Sequence, residues 1–530
     1  MQMHDSLRTE FASHHSKQIT SSYKRTNMNI RFVLLLSVLS LLLIPHQVTW
    51  ADTGKKPNVI FILADDFGYG DMSCYGATHF KTPACDRLAD QGMRFTDAHS
   101  PSAVCTPTRY SILTGRYNWR SWLKNWVLQE HHPIHIDTDR LTMGKLFQQA
   151  GYSTGCIGKW HLGWGTELST DFSGEVKPGP LEVGFDSFYG VPFSHNSGKS
   201  HQVFMRDRQI VNLKPGLKYN SKEAMKNTVR KLENTAIDLS NEAVAFIDKN
   251  KDKPFFLYYP TTNIHFPLTP NSRFKGTTKA GIYGEFVVEF DWAVQQVVEA
   301  LERNGISDNT IVVVTSDNGA RPPGKLKDLE AFNNHPCNGP WRGTKRHIHE
   351  AGHRIPLIVR WPGKVKAGTL SDETVCLTDF FTTFAKILNQ PVPNNAGEDS
   401  YDLTNLLTGK PHKHPLREAT IHHSVSGQFA IRQGDWKLIE GSSNGDYPKN
   451  DEGKIDVKTW NPERDPTTGK WTKLDYFQLK PDGKFQLYNL KSDPKEQKNL
   501  SAKHPEKVRQ LLNLLNSYRS NQRSAPIVGK

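Results

Sequence analysis

From Asn58 to Ala64 the chain is apolar without alternation, with Val-Ile-Phe-Ile-Leu at its centre, and it stops abruptly at Asp65-Asp66. A strand with one wet face alternates apolar and polar residues. One that does not alternate must be covered on both faces, as strands inside a parallel sheet are. The pattern returns at Thr310–Thr315, ending in Ser316-Asp317-Asn318-Gly319, and at Pro254–Tyr259, leading into Thr261-Thr262-Asn263-Ile264-His265. Helical periodicities occupy Thr82–Gln91, Leu141–Ala150, Asn234–Asp248 and Phe286–Arg303. Strands alternating with helices predict an α/β domain whose large, mixed, mainly parallel sheet is flanked by helices. Ligands of such sheets gather beyond the carboxyl ends of the strands, and polar residues stand at all three ends.

Residues 390–416 are rich in Pro, Asn, Gly and His and are expected to form a linker. Beyond them, short strand patterns at Gln428–Arg432, Trp436–Ile439 and Phe485–Tyr488 accompany Gly-Asp and Asp-Gly turns. An amphipathic helix then runs from about Glu506 to Tyr518. This predicts a smaller C-terminal antiparallel sheet with one helix. The expected organisation is a signal region at 1–51, a large domain at 52–400 and a C-terminal subdomain at 401–530, which 530 residues accommodate.

Within the first region, Met28-Asn29-Ile30-Arg31 precedes the apolar run Phe32–Ile44, then Pro45 and Thr49-Trp50-Ala51. A basic flank, a short apolar core and a small terminal residue describe a secretory signal peptide, with Met28 as its start and Met1–Asn27 as a polar extension. The run is shorter than the roughly 20 residues of a membrane helix. The expectation is an exported protein, periplasmic or extracellular, with no stable membrane span after cleavage. The net charge of the whole chain is +13, and loss of residues 1–51 leaves +10. Such a surface suits anionic partners, among them nucleic acid, anionic lipid and acidic polysaccharide, and no nucleic-acid-binding motif accompanies it. Six scattered cysteines without a C-x-x-C pair exclude the usual structural zinc arrangements, while export permits one or two disulfides.

Asp65, Asp66, Asp317 and Asn318 are hard oxygen ligands at the ends of two strands that could lie side by side, a set for calcium or magnesium rather than zinc. Taken alone, Asp-Asp after a strand is more often a turn or helix cap, and the second acidic strand end brings the two readings level. The stretch Cys105-Thr106-Pro107-Thr108-Arg109, continuing to Arg116, closely resembles the signature of type I sulfatases, the formylglycine-dependent members of the alkaline phosphatase superfamily. Asp65-Asp66-Phe-Gly-Tyr-Gly-Asp resembles their first metal motif, and Gly158-Lys159-Trp160-His161-Leu162-Gly163 their G-K-W-H-x-G block. Thr262–Pro267, Ser316–Gly319, Gly343-Thr344-Lys345 with Glu350–Pro356, and the closing Leu487–Leu490 and Asp493–Leu500 follow in the family's order. Thr108, where serine is commonest, and Ala351 and His353 are the departures, and none is a charged catalytic position.

The resemblance implies an alkaline phosphatase-like fold and hydrolysis of a sulfate ester on a carbohydrate or aryl alcohol. It implies that Cys105 is oxidised to formylglycine (3-oxoalanine) by a formylglycine-generating enzyme. Asp65, Asp66, Asp317, Asn318 and converted Cys105 would then hold Ca2+, or Mg2+. Arg109 and Lys159 would fix the aldehyde hydrate, His161 would take the proton that triggers sulfate expulsion, and His265 and Lys345 would grip the ester. The chemistry explains the conversion. A sulfo-thiol still needs attack at sulfur for release, whereas a hydrate attacks with one hydroxyl and expels sulfate through the other. The positive surface fits a sulfated carbohydrate substrate, and the Tyr110–Arg120 continuation resembles 6-sulfatases acting on galactose or N-acetylgalactosamine. Two alternatives remain open, a phosphonate monoester or phosphodiester hydrolase on the same fold and a catalytically silent sulfated-glycan-binding protein. The histidines of His131–His135, His412 and His414 read as loop residues. Trp119, Trp122 and Trp126 read as core or rim, Lys214–Lys231 as a solvated face, and His422-His423 as candidates for the pocket mouth. Specificity is expected from Ser169–Lys231, Arg321–Pro340 and the C-terminal subdomain.

Overall fold

The computed structural model describes residues 55–323, 332–449, 454–455, 463–474 and 482–527, so the apolar run Phe32–Ile44 lies outside the described residues. Among those described, ten strands form one sheet: β1 (Asn58–Ala64), β2 (Met93–Phe95), β3 (Ser153–Lys159), β4 (Ser187–Val191), β5 (Met205–Arg206), β6 (Gln209–Ile210), β7 (Phe255–Pro260), β8 (Thr310–Ser316), β9 (Leu357–Arg360) and β10 (Thr369–Ser371). Their spatial order is β10, β2, β9, β8, β1, β7, β3, β4, β5, β6. The three apolar runs are therefore the adjacent central strands β8, β1 and β7, all parallel. Strands β9 and β5 run antiparallel to their neighbours and make the sheet mixed.

Every residue of β1 is buried, and its side chains divide between two cores. Val59, Phe61 and Leu63 pack with α2 (Cys105–Thr114), α3 (Met143–Gln149) and the phenylalanines of a later helix, Phe380–Ile387. Ile60, Ile62 and Ala64 face the opposite way, towards α1 (Pro83–Asp90), α4 (Thr235–Asn250) and α5 (Gly281–Arg303). That two-sided burial is why the run cannot alternate. Helix α5 starts five residues before the predicted Phe286, because Gly281–Glu285 completes its buried face through Tyr283 and Gly284.

A second, antiparallel sheet joins β11 (Thr420–His423), β12 (Phe429–Gln433), β13 (Trp436–Glu440) and β14 (Phe485–Asn489). Leu511, Leu515 and Tyr518 of α6 (the closing helix, Pro505–Ser520) pack on its Ile421, Ile431, Leu438 and Leu487. The expected linker at 390–416 is partly built into the core. Ala396, Leu403 and Leu407 are buried, and the Asp399 carboxylate accepts the Tyr117 amide at 2.8 Å and the Arg120 guanidinium at 2.9 Å. Its Pro and Gly content marks irregular backbone, not exposure. Helix α6 is amphipathic, and among the described residues no helix is long and apolar enough to cross a membrane. The six cysteines are all unpaired.

Candidate active site

The register of β1 on β8 sets Ala64 beside Ser316, so the parallel strands deliver Asp65-Asp66 and Asp317-Asn318 to the same place. The Asp317 amide donates to Ala64 O at 3.1 Å, and the Asp66 amide to Asp317 Oδ1 at 3.1 Å. Strand β7 is stitched on from the other side. Asp65 N donates to Asn263 O at 2.7 Å, while Asn263 Nδ2 donates to the buried Glu289 carboxylate at 2.9 Å. Strand β3 ends at Lys159. Gly158 there has φ 133°, and a Cβ on it would meet Pro260 O at 1.8 Å, so only glycine lets β3 lie this close to β7.

Cys105 opens α2, with Pro107 in its first turn and Gly115 closing it at φ 63°. This is the usual asymmetry of proline inside a helix start and glycine past its end. The cysteine thereby sits at the positive end of a buried ten-residue helix. Its Sγ lies 3.3 Å from His161 Nδ1. Leu128 O can only accept and lies 3.0 Å from His161 Nε2, so that nitrogen carries the hydrogen. Burial, then Lys159 and Arg109, hold His161 well below the usual histidine range. It is therefore neutral, with Nδ1 as a proton acceptor facing position 105.

All ten predicted residues are buried and meet here. Lys159 Nζ lies 2.7 Å from Asp65 Oδ2, Arg109 Nη2 2.7 Å from Asp317 Oδ2, and Lys345 Nζ 2.6 Å from Asp66 Oδ1. Burial raises the Asp65 carboxyl, but Lys159, His265 and Arg109 outweigh it and hold the group well below the carboxylate range. Burial and the neighbouring Asp65 push Asp317 up. His265 donates from Nδ1 to Phe266 O at 2.6 Å and turns Nε2 towards Ser194 Oγ, 3.4 Å away, and Asp66 Oδ2, 3.8 Å away. Burial, then Lys345, bring its pKa down to about 3.

The oxygens fit a hard cation. Asp65 Oδ1 and Asn318 Oδ1 are buried with no hydrogen-bond partner, because Asn318 spends its Nδ2 on Asp66 Oδ1 and Gly319 O. Ligand atoms of Asp65, Cys105 and Asp317 lie within 4.8 Å of one another. Unpaired buried oxygens are costly unless something binds them, and an oxygen-rich set is the donor chemistry of calcium or magnesium. Two of these residues carry left-handed backbone without being glycine, Asp66 at φ 62° and His161 at φ 55°, strain of the kind functional sites hold.

The remaining candidates, apart from Lys214–Lys231, are mostly buried. His422 and His423 are buried in β11, where His422 stacks on His353 at 3.7 Å. His132 and His135 are buried, and Trp119 and Trp122 belong to small apolar cores. Most of Lys214–Lys231 is exposed or half-buried, but Arg230 turns inward. It donates to His195 O at 3.1 Å, and burial lowers its pKa to about 9. Sequence reasoning missed the surroundings Ser194, His195 and Thr106. Only the Ser169–Lys231 segment pointed towards the first two, and they lie in a loop with no periodicity.

A strand-end cluster of acids, cations and one cysteine at a helix start, on a mainly parallel sheet, defines a hydrolase of anionic esters. The chain belongs to the sulfatase family and is a sulfatase enzyme. The family model described as sulfatase matches residues 57–390, and one for the C-terminal part of N-sulphoglucosamine sulphohydrolase matches 341–449. The N-acetylgalactosamine-6-O-sulfatase of Bacteroides thetaiotaomicron is 35% identical over 533 residues, covering 92% of this chain and 99% of that protein. Human arylsulfatase A is 32% identical over 409 residues, 74% of this chain and 77% of its own. A solved structure from Bacteroides thetaiotaomicron, described under metabolism of multiple glycosaminoglycans, superposes with a TM-score of 0.76 at 34% identity, covering 88% of this chain and all of that one.

Proposed function

We propose that this sulfatase releases sulfate from the 6-position of a galactose or N-acetylgalactosamine unit of a sulfated carbohydrate. Cys105 acts after conversion to formylglycine, and Asp65, Asp66, Asp317 and Asn318 hold a calcium or magnesium ion. The observation that carries this reading is the pair of buried oxygens without a hydrogen bond, Asp65 Oδ1, 3.5 Å from Arg109 Nη2, and Asn318 Oδ1, beside a cysteine at a helix start. A bound dication would counter the charge on the sulfate oxygens, and the aldehyde hydrate would supply the nucleophilic hydroxyl.

The chain's own groups supply the rest. Arg109, with its Nη1 on Lys159 O at 3.0 Å, and Lys159 flank position 105 as fixed positive charges. His161 Nδ1 is positioned to accept a proton from the group at position 105. Lys345 and His265 Nε2 face the ester, and the negative charge of a bound sulfate offsets the burial that keeps free His265 neutral. Three aspartates balance Arg109, Lys159 and Lys345, so a dication leaves a surplus of two positive charges for a sulfate ester. Similarity along almost the whole length of an N-acetylgalactosamine-6-O-sulfatase supports the sugar and the position. The reading includes export, from the pattern Met28–Ala51, and maturation by a formylglycine-generating enzyme. Sulfate release is measured from 6-sulfated and 4-sulfated N-acetylgalactosamine, 6-sulfated galactose and a matched aryl phosphodiester. Release from the 6-sulfated sugars ahead of the others is expected, and a faster phosphodiester reaction would overturn the assignment.

A further inference from the structure

Immediately after Lys345 the chain does something costly. Arg346 holds φ 83°, a left-handed backbone that a long side chain adopts only under constraint. Its amide donates to Ala103 O, two residues before Cys105, at 2.8 Å, and its carbonyl accepts the Val425 amide at 3.1 Å. The strained turn is thus clamped between the loop that leads into Cys105 and the C-terminal subdomain, and it swings the next two side chains onto a third segment. Arg346 Nη2 lies 3.2 Å from Asp446 Oδ2, and His347 Nε2 lies 3.6 Å from the same oxygen. The guanidinium lies over the Tyr447 ring at 4.7 Å, which fixes its plane. Its Nε is buried with no partner. The side chains of Arg346, His347 and Asp446 are 19%, 18% and 28% exposed, too buried for a solvated rim and too open for a core ion pair.

We propose that Arg346, His347 and Asp446 form the subsite that reads the hydroxyls of the sugar ring carrying the sulfate. The inference rests on the function proposed above and adds the residues that choose the sugar. Asp446 beside the Arg346 guanidinium sets an acceptor next to a donor, with His347 Nε2, 3.3 Å from Asn444 Nδ2, at their edge, and this matches neighbouring ring hydroxyls, each both donor and acceptor. Asp446 cancels the charge of Arg346, so the occupant is the neutral polyol face of a sugar and not a second sulfate or a carboxylate. Asp446 stands outside the sequence blocks that build the centre, in a loop that differs in origin from the Lys345 segment. Sugar choice can therefore change without disturbing the cation-binding oxygens.

The test compares wild type with Asp446→Asn and Arg346→Lys on N-acetylgalactosamine 6-sulfate and N-acetylglucosamine 6-sulfate, which differ in one hydroxyl configuration. Wild type is expected to discriminate between them. Each variant is expected to lose about 10- to 100-fold in kcat/KM on the preferred sugar, the weight of a charge-assisted hydrogen bond, and to lose most of the discrimination. An unchanged preference, or an equal loss on both sugars, would overturn the subsite and leave the trio as mere support for Lys345. Wild type that cleaves neither sugar, nor galactose 6-sulfate, would count against the function itself. The subsite is then read from binding, by titrating a Cys105→Ser protein with N-acetylgalactosamine 6-sulfate. Weakening of at least about tenfold by added Asp446→Asn upholds it, and equal affinity overturns it.

Discussion

His353 donates from Nδ1 to His99 Nδ1 across 3.0 Å, and the direction of that bond is set from the Lys437 end. Asp97 Oδ1 accepts from His99 Nε2 at 2.9 Å, leaving His99 Nδ1 as an acceptor. Lys437 Nζ donates to His353 Nε2 at 3.1 Å, leaving His353 Nδ1 as the donor. The chain Lys437–His353–His99–Asp97 runs one way, and with His422 stacked on His353 it joins β11 and β13 to the segment that leads into Cys105. Its order requires every histidine to be neutral.

Stability is therefore expected to fall as the solution is acidified below neutrality. Burial lowers His99, His353 and His422, the last two well below the usual range. The unfolded chain protonates these residues below about pH 6.5 and the folded chain does not, so unfolding takes up protons and gains ground as pH drops. Asp97 and Glu350, held low by Arg354 and Lys437 against the effect of burial, stay ionised through this window. Glu496, raised by burial, works in the opposite sense for one proton. Each neutral histidine contributes up to about 1.4 kcal/mol per pH unit. Urea midpoints at pH 7.5, 6.5 and 5.5 should show a slope that His422→Gln reduces by up to that amount, and identical slopes would contradict the account.

Lys437 also carries a prediction of its own. Its Nζ lies 3.1 Å from Glu350 Oε1 and 2.9 Å from Glu496 Oε1, and all three side chains are wholly buried. Lys437→Met leaves two carboxylates without their cation, which costs about 3–5 kcal/mol. Replacing Lys437, Glu350 and Glu496 together with apolar residues should restore part of that loss in denaturant titration.

Much of this centre was legible in the sequence, because strands buried on both faces announce themselves and the residues at their ends inherit their register. Asp65 and Asp317 meet because β1 and β8 are neighbours, and both runs were visible as unbroken apolar stretches. Strand β3 was not legible. Its sequence Ser-Thr-Gly-Cys-Ile-Gly-Lys is small rather than apolar, since Gly155 makes room for the Phe246 ring, 2.5 Å from where its Cβ would stand, and Gly158 for Pro260. The place of His422 was not legible either, because only the buried chain of Asp97, His99 and His353, drawn from distant segments, holds it inside. The expected linker is partly buried because Pro and Gly report backbone irregularity and say nothing about burial.

Cation removal has a readout in stability as well as in activity. A ligand bound only by the folded protein at about 1,000 times its Kd stabilises by about 4 kcal/mol. Calorimetric titration of chelator-treated protein with calcium, then magnesium, should show one site, with a rise in Tm on binding. Asp317→Ala is expected to abolish both signals, because it deletes a proposed ligand and releases Arg109 from its 2.7 Å bond to Asp317 Oδ2. Persistence of binding in that variant would move the cation elsewhere.

His161 should separate chemistry from maturation. Its Nδ1 faces Cys105 Sγ at 3.3 Å while its Nε2 is held by Leu128 O, so the imidazole is oriented whatever stands at position 105. The tryptic peptide Phe95–Arg109 of wild-type protein, exported by a host with the converting enzyme, should carry the mass of an aldehyde in place of the thiol. His161→Ala should carry the same mass, because His161 lies outside the Cys105–Arg109 stretch that resembles the conversion signature. Its kcat should nevertheless fall by about 10²–10⁴, the range lost with a general base or acid, while KM changes little. A converted but slow His161→Ala protein assigns the proton transfer to Nδ1. An unconverted one makes His161 part of the maturation signal, and full activity in a converted one would take the base away from this histidine altogether.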